Sequence, residues 1–356
     1  MNIVVEAMEG GIAGSVFPGA VLLVSRGDDL LFHQGFGLAD LGTGEEISTK
    51  TLFDLASLTK PLATAMAILN LVQRGKLWLD QTLGNILPGL ETTDKSGITV
   101  DSLLRHCSGL PAHRPYYLDL VGYPGEERRD RLRQLIIDEP LVYKPGTTEL
   151  YSDLGFVLLA WVVETISTIR LDLYVRNQIY LPLKIGSLCF RQSGDPLKSG
   201  VASTENCPWR GRVMRGEVHD DNAWVVGGIE GHAGLFGTAL DVWILLKEIL
   251  HGLSGKETRL IDKALVGQFA MKKPGFERVA GFDTPSSKNS SSGHFFSASS
   301  LGHLGFTGTS FWMDPEKSII VVLLTNRIHP QRNNEKIRKF RPMIHDLVME
   351  SVLKNG

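Results

Sequence analysis

Thr309-Ser310-Phe311-Trp312-Met313-Asp314-Pro315-Glu316-Lys317-Ser318-Ile319-Ile320-Val321-Val322-Leu323-Leu324-Thr325 holds two runs of strand-forming residues, Thr309 to Met313 and Ser318 to Thr325. The polar turn Asp314-Pro315-Glu316-Lys317 separates them, so the stretch reads as a β-hairpin. Toward the other chain end, Ala20 to Ser25 and Leu30 to Gly37 flank Gly27-Asp28-Asp29 and read as a second hairpin. A helix is expected before it, to about Ser15. Met343, Leu347, Val348 and Val352 recur at near-helical spacing after the C-terminal hairpin, which gives a final helix packed on the sheet. Two terminal hairpins around a helical middle predict an α+β fold. One antiparallel sheet comes from both chain termini, flanked by helices, with a mostly helical inserted domain. The expected division is 1–56 with 230–356 for the sheet domain and 57–229 for the helical one, with the active site between them.

Within the middle, Leu62, Met66, Leu69 and Val72 recur at helical spacing from Ser57 onward, and Gly75 stands where a C-cap would. Shorter helical patterns, Ser102 to His106 and Gly155 to Ile166, are broken by Pro and Gly. The Ser-rich stretch Asp283 to Ser300 reads as a mobile surface loop.

A chain of 356 residues is long enough for a sizeable core. Its formal net charge is -2, with Lys and Arg scattered, which argues against a nucleic-acid partner. Cys107, Cys189 and Cys207 are odd in number and lack close pair spacing, so free thiols are expected rather than a disulfide framework. Acidic residues come early in the N-terminal segment and no basic leader precedes an apolar run, so no signal peptide is read there. No apolar stretch has membrane-spanning length. A cytoplasmic location follows from the sequence as written; a leader upstream of it would make the location periplasmic. The oligomeric state is left open.

Ser57-Leu58-Thr59-Lys60 carries the chemistry. Residues three apart on a helix share a face, so an amine can reach a hydroxyl and activate it as a nucleophile. Ser351-Val352-Leu353-Lys354 has the same form but ends the chain with nothing after it to complete a site. Tyr151, in Tyr151-Ser152-Asp153, follows Lys144-Pro145-Gly146; its phenol becomes a base only if a cation such as Lys60 lowers its pKa. His303-Leu304-Gly305 opens a strand, and backbone near it can offer an oxyanion N–H beside that of Ser57.

These elements, in this order and at these separations, resemble the serine β-lactamase and penicillin-binding-protein superfamily, in its class C β-lactamase-like branch. That branch includes D-alanyl-D-alanine carboxypeptidases and related carboxylesterases. Leu104-Arg105-His106-Cys107-Ser108-Gly109-Leu110-Pro111, Pro145-Gly146-Thr147 and His303-Leu304-Gly305-Phe306-Thr307-Gly308-Thr309 extend the resemblance over nearly the whole chain. It implies Ser57 as the acylated nucleophile, Lys60 and Tyr151 as the proton-handling pair, and Asp153, His303, Gly305 and Phe306 as substrate-binding residues. Either Lys60 or Tyr151 could be the general base. The implied function is a serine hydrolase, D-Ala-D-Ala carboxypeptidase or carboxylesterase, acting through an acyl-enzyme on a small molecule or short peptide without a cofactor.

The sequence departs from the family pattern at three positions. Asp153 replaces an Asn and holds Lys60 as a cation; His303 replaces a Lys and attracts carboxylates less; Leu304 replaces a Thr and makes the pocket more apolar. The latter two changes tilt the reading away from a true class C β-lactamase, which stays as the alternative. A non-catalytic penicillin-binding protein is the alternative from another class. His219-Asp220-Asp221-Asn222 with His232 fits no zinc spacing and reads as turn chemistry, with Asn222 and His232 as cleft residues only.

Overall fold

The computed structural model describes residues 1–354 apart from 193, 197 and 198. Both hairpins form and join. The antiparallel sheet runs Glu45–Glu46, Asp29–Asp40, Gly19–Arg26, Ile319–Thr325, Ser310–Asp314, Leu301–Leu304 from edge to edge. Its two central strands come from opposite chain ends, pairing Leu22 with Leu323 and Val24 with Val321. Every residue of Ile319–Thr325 is buried, because helices cover both faces and an apolar run without alternation is then the stable choice.

Alternate residues point to opposite faces of a strand, and this sorts the core in two. Leu22, Val24, Trp312, Val321 and Leu323 pack against Val4 and Met8 of the helix Asn2–Ala13 and against Phe340, Ile344 and Val348 of the helix Ile337–Lys354. Val21, Leu23, Phe311, Val322 and Leu324 join a larger core with Leu58, Leu62, Met66, the helix Asp153–Ser167 and the helix Ala239–Leu253. No disulfide links the cysteines. No single helix among the described residues is long and apolar enough to cross a membrane.

Two local expectations are corrected. The helix read from Ser57 does not begin as α-helix: Ala56–Leu58 makes one 3₁₀ turn, Lys60–Ala65 a widened π turn, and only Met66–Gln73 is regular. Pro61 has no N–H to give to the i–4 ladder, which favours the irregular start. The stretch Asp283 to Ser300 has no helix or strand, yet it is a packed strap rather than a free loop. Asp283 and Gly302 exchange backbone bonds at 2.8 and 2.9 Å, Phe296 packs on Trp312, and the Ser297 hydroxyl donates to Asp314 at 2.9 Å. Its serines give it polar anchors that composition alone does not reveal.

Candidate active site

Ser57 lies in a turn that begins at Ala56, whose φ is +48°. That left-handed conformation costs an L-residue about 1–2 kcal/mol and persists only where neighbours hold it. Here they do. Asp54 accepts the Ala56 N–H at 2.8 Å through one carboxylate oxygen and the His219 N–H at 2.7 Å through the other. Thr59 donates to Ala56 O at 2.6 Å and accepts from Leu235 N–H at 3.1 Å. Thr307 donates to Asp54 O at 2.8 Å, and Thr309 to Leu55 O at 3.1 Å. The Ser57 hydroxyl caps no helix; it accepts from Lys60 Nζ at 3.1 Å.

Lys60 is fully buried and its three N–H donors meet three acceptors: Ser57 Oγ, His232 O at 3.1 Å and Asp153 Oδ1 at 2.7 Å. Burial alone would lower its pKa, but Asp153 and then Tyr151 overcome this and raise it above the usual lysine value. Burial likewise works to raise Asp153, and Lys60, His113 and His232 together hold it far below the ordinary carboxylate range. Ser152, not Asp153, caps the following helix by accepting the Gly155 N–H at 3.3 Å, so the Asp153 side chain is left for Lys60. The Tyr151 ring centroid lies 4.8 Å from Lys60 Nζ. Burial pushes the Tyr151 phenol up, while Lys60 and a hydrogen bond with Ser57 pull it down; the net shift is upward.

His303 lies beside this group. It sits buried on the edge strand, 6.0 Å from the Tyr151 ring centre, and its Nδ1–H donates to Leu304 O at 2.9 Å. Burial, partly opposed by Asp283 and reinforced by Lys60 and Arg278, pushes its pKa down to about 4. The imidazole is thus neutral at pH 7, which carries further the weaker attraction for carboxylates expected of a histidine in place of a lysine. Gly305 donates its N–H to Thr309 O at 2.8 Å, and a Cβ there would collide with Thr309 Oγ1 and lie 2.7 Å from Leu55 O. Glycine is what lets this turn approach the Ser57 turn. Phe306 lines the cleft with its ring 48 % exposed and stacked on His219 at 5.6 Å.

Ser57, Tyr151, Asp153, Asp220, Phe306 and Arg332 are among the side chains lining this cleft of about 350 Å³. Asn222 is not in the cleft: it accepts the Tyr117 N–H at 2.9 Å and donates to Arg114 O at 2.7 Å. His232 contributes its carbonyl to Lys60 while its ring meets Asp220 at 2.9 Å. His219 turns to Glu205 at 3.0 Å and Asp221 to Arg210 at 2.7 Å, so these side chains already have partners. No group of three or more His, Cys, Asp or Glu side chains among the described residues is arranged to hold a metal ion.

The sequence model of the Beta-lactamase family matches residues 4–341. This chain belongs to the β-lactamase family. A protein of Salmonella heidelberg named "Putative D-alanyl-D-alanine carboxypeptidase" is 30% identical, across 90% of this chain and 81% of its own length. An octameric penicillin-binding protein homologue from Pyrococcus abyssi superposes with a TM-score of 0.78 at 20% identity, over 98% of this chain and 77% of that one. EstCE1, described as a hydrolase with promiscuous acyltransferase activity, gives 0.74 at 21% identity, over 96% and 98% of the two chains. The protein is thus a β-lactamase-family hydrolase, with the family's mixed fold of helices and antiparallel sheet.

In this family member, two arginines stand behind the Gly305–Phe306 turn that motif reading did not single out. Arg327 donates to Phe306 O from Nε at 3.0 Å and from Nη2 at 2.5 Å, with its guanidinium 4.8 Å from the Phe306 ring centre. Arg341 donates to Thr309 O at 3.0 Å and, at a longer 3.4 Å, to Gly305 O. Only Arg327 carried a signal, as an arginine just after the apolar strand Ile319–Thr325; Arg341 stands among other charged residues of its helix. Asp54 was also missed; an acid between Phe53 and Leu55, three residues before Ser57, was the available hint.

Proposed function

We propose that this hydrolase acts through an acyl-enzyme on Ser57 and that its preferred substrates are carboxylic esters without a free carboxylate. The Lys60-to-Ser57 hydrogen bond at 3.1 Å, beside Tyr151 in the cleft, carries the reading. Ser57 Oγ attacks the acyl carbon, and its proton passes to Tyr151 Oη as Tyr151 gives its own to the leaving oxygen. Lys60, fully engaged as an ammonium, orients the hydroxyl and offsets negative charge on the phenol oxygen. Water then repeats the relay in reverse and releases the acid. Backbone N–H groups of Ser57 and Phe306 are assigned to the oxyanion; the Gly305 N–H is already committed to Thr309 O.

The preference for neutral esters rests on charge. The basic groups around the cleft already have carboxylates: Lys60 and His113 meet Asp153, and Arg332 meets Glu205 and Asp221. His303 is neutral. A substrate carboxylate would have to compete with an existing ion pair. The second reading, a D-Ala-D-Ala carboxypeptidase, is favoured by the name and 30% identity of the Salmonella relative. A fluorophosphonate probe with peptide mapping, followed by rates on a short-chain ester, a D-Ala-D-Ala peptide and a chromogenic cephalosporin, tests both. Labelling at Ser57 with fastest turnover of the ester is expected. No labelling of the folded protein would overturn the acyl-enzyme, and a faster peptide would replace the ester reading.

A further inference from the structure

Away from Ser57, four buried polar groups gather between the strand Ser310–Asp314 and the helix Ile337–Lys354. Ser310 and Trp312 are two apart on the strand and share its helix-facing side; Arg341 and His345 are four apart on the helix and share a face. None is more than 6% exposed. Ser310 Oγ, Trp312 Nε1, Arg341 Nε and His345 Nε2 all lack a protein hydrogen-bond partner. Their grouping is fixed by neighbours. Arg341 Nη2 bonds the carbonyl of Thr309, the residue before Ser310, and the Phe296 ring touches both the Trp312 and His345 rings, at 6.1 and 6.0 Å.

Charge separates this cluster from an ordinary polar gap. Arg341 makes no ion pair among the described residues, and the charged side chain that acts on it is Arg327, of the same sign. An arginine remains protonated at neutral pH. A buried cation with no counter-charge is far costlier than an unpaired neutral donor, so an anion relieves it where a water molecule satisfies hydrogen bonds only. Arg341 Nε–H, Trp312 Nε1–H and Ser310 O–H are each left with a hydrogen to donate on these facing surfaces. His345 Nδ1–H is already given to Ser291 O at 2.8 Å. Three donors suit a monatomic ion; a tetrahedral oxyanion would bring more acceptors than they can meet. Trp312 also lines a neighbouring cavity of about 270 Å³, whose wall carries Arg278 together with Glu277 and Asp283.

We propose that this cluster is a binding site for a monovalent inorganic anion of halide size, held by Arg341, Trp312 and Ser310. Because Arg341 also holds Thr309 O and Gly305 O, the bound ion steadies the turn beside the catalytic cleft from behind. The site stands whether or not Ser57 is a nucleophile.

Bromide is the probe. Thermal unfolding is followed while sodium bromide replaces sodium gluconate at constant ionic strength, and a bromide-soaked crystal is measured at the bromine absorption edge. Above saturation, each tenfold rise in bromide should raise the folding equilibrium constant about tenfold. An anomalous peak should lie within hydrogen-bond distance of Arg341 Nε. Ser310→Ala, which keeps the cation, should raise the half-saturating bromide concentration about tenfold for one lost hydrogen bond. Arg341→Met should abolish the response. An absent peak, or an undiminished bromide response in Arg341→Met or Ser310→Ala, would overturn the site; if Arg341→Met does not fold, the crystal and Ser310→Ala decide.

Discussion

Replacing Asp153 by asparagine should make stability rise with pH over an alkaline range in which the native Lys60–Asp153 pair adds no slope. In the native protein Lys60 is buried and donates to Asp153 at 2.7 Å, and its pKa is raised above the unfolded value. Its contribution is present below the unfolded lysine pKa and is lost as pH rises through the folded one. Asp153 is depressed, so its contribution is present above the unfolded carboxylate pKa and is lost as pH falls through the folded one. Between about pH 5 and 10 neither titrates in either state, and the pair adds no slope. The amide introduced by Asp153→Asn would keep an oxygen acceptor but remove the charge, leaving burial as the main influence on Lys60.

The Lys60 pKa in the variant then falls below its unfolded value. Over the interval between the two, the unfolded state binds more protons, so stability rises with pH at up to about 1.4 kcal/mol per unit. At neutral pH, breaking a buried pair costs about 3–5 kcal/mol; the retained acceptor and the 19% exposure of Asp153 place the loss at about 2–3 kcal/mol. Urea unfolding followed by tryptophan fluorescence at pH values from 7 to 10 measures both quantities. A flat profile in Asp153→Asn with a loss under about 1 kcal/mol would show that Asp153 does not hold Lys60 charged.

Ser57→Ala should abolish fluorophosphonate labelling, lower ester turnover by at least about 10³-fold and cost about 1–2 kcal/mol of stability, because the buried Lys60 loses one of its three acceptors. His303→Ala should slow neutral and anionic substrates alike; with the His303 pKa at about 4, a native pH–rate profile on esters should show no limb from this group between pH 6 and 8, and selective loss on anionic substrates would refute its neutrality. Arg327→Met removes both bonds to Phe306 O and should lower kcat about 10-fold with KM little changed, read from ester kinetics; a rise in KM alone would assign Arg327 to binding.

The parts of the site set by local spacing were legible in the sequence. Ser57 and Lys60 meet because they are three residues apart, and Tyr151 arrives with Asp153 at the start of a helix whose apolar residues are evident. The sheet was legible as well, since each hairpin carries its own strand runs and turn. What was hidden depends on contacts across the chain. A histidine in a strand reads as titratable until Tyr151 and neighbouring elements are seen to bury it. Arg327 and Arg341 have no motif; their carbonyl partners exist only once the C-terminal helix lies behind the Gly305–Phe306 turn. The irregular start of the helix at Lys60 could have been read from Pro61, whose missing N–H weakens a regular first turn.

The geometry at Ser57 follows from closure of the chain on itself more than from the local turn. Ala56 is held at a positive φ by a carboxylate, Asp54, whose two oxygens are occupied by N–H groups 165 residues away in one case and two in the other. Leu235 N–H fixes Thr59 from one side, and Thr307 and Thr309 fix the carbonyls of Asp54 and Leu55 from the other. Remove either side and the left-handed residue loses the bonds that offset its strain. The edge turn that supplies Thr307 and Thr309 stands in place only because Ser310–Asp314 pairs with Ile319–Thr325, which pairs in turn with Gly19–Arg26. A sheet built from both chain ends therefore does more than cover a core: it brings the C-terminal turn against the Ser57 turn, and Ser57 acquires its geometry when the two ends have met.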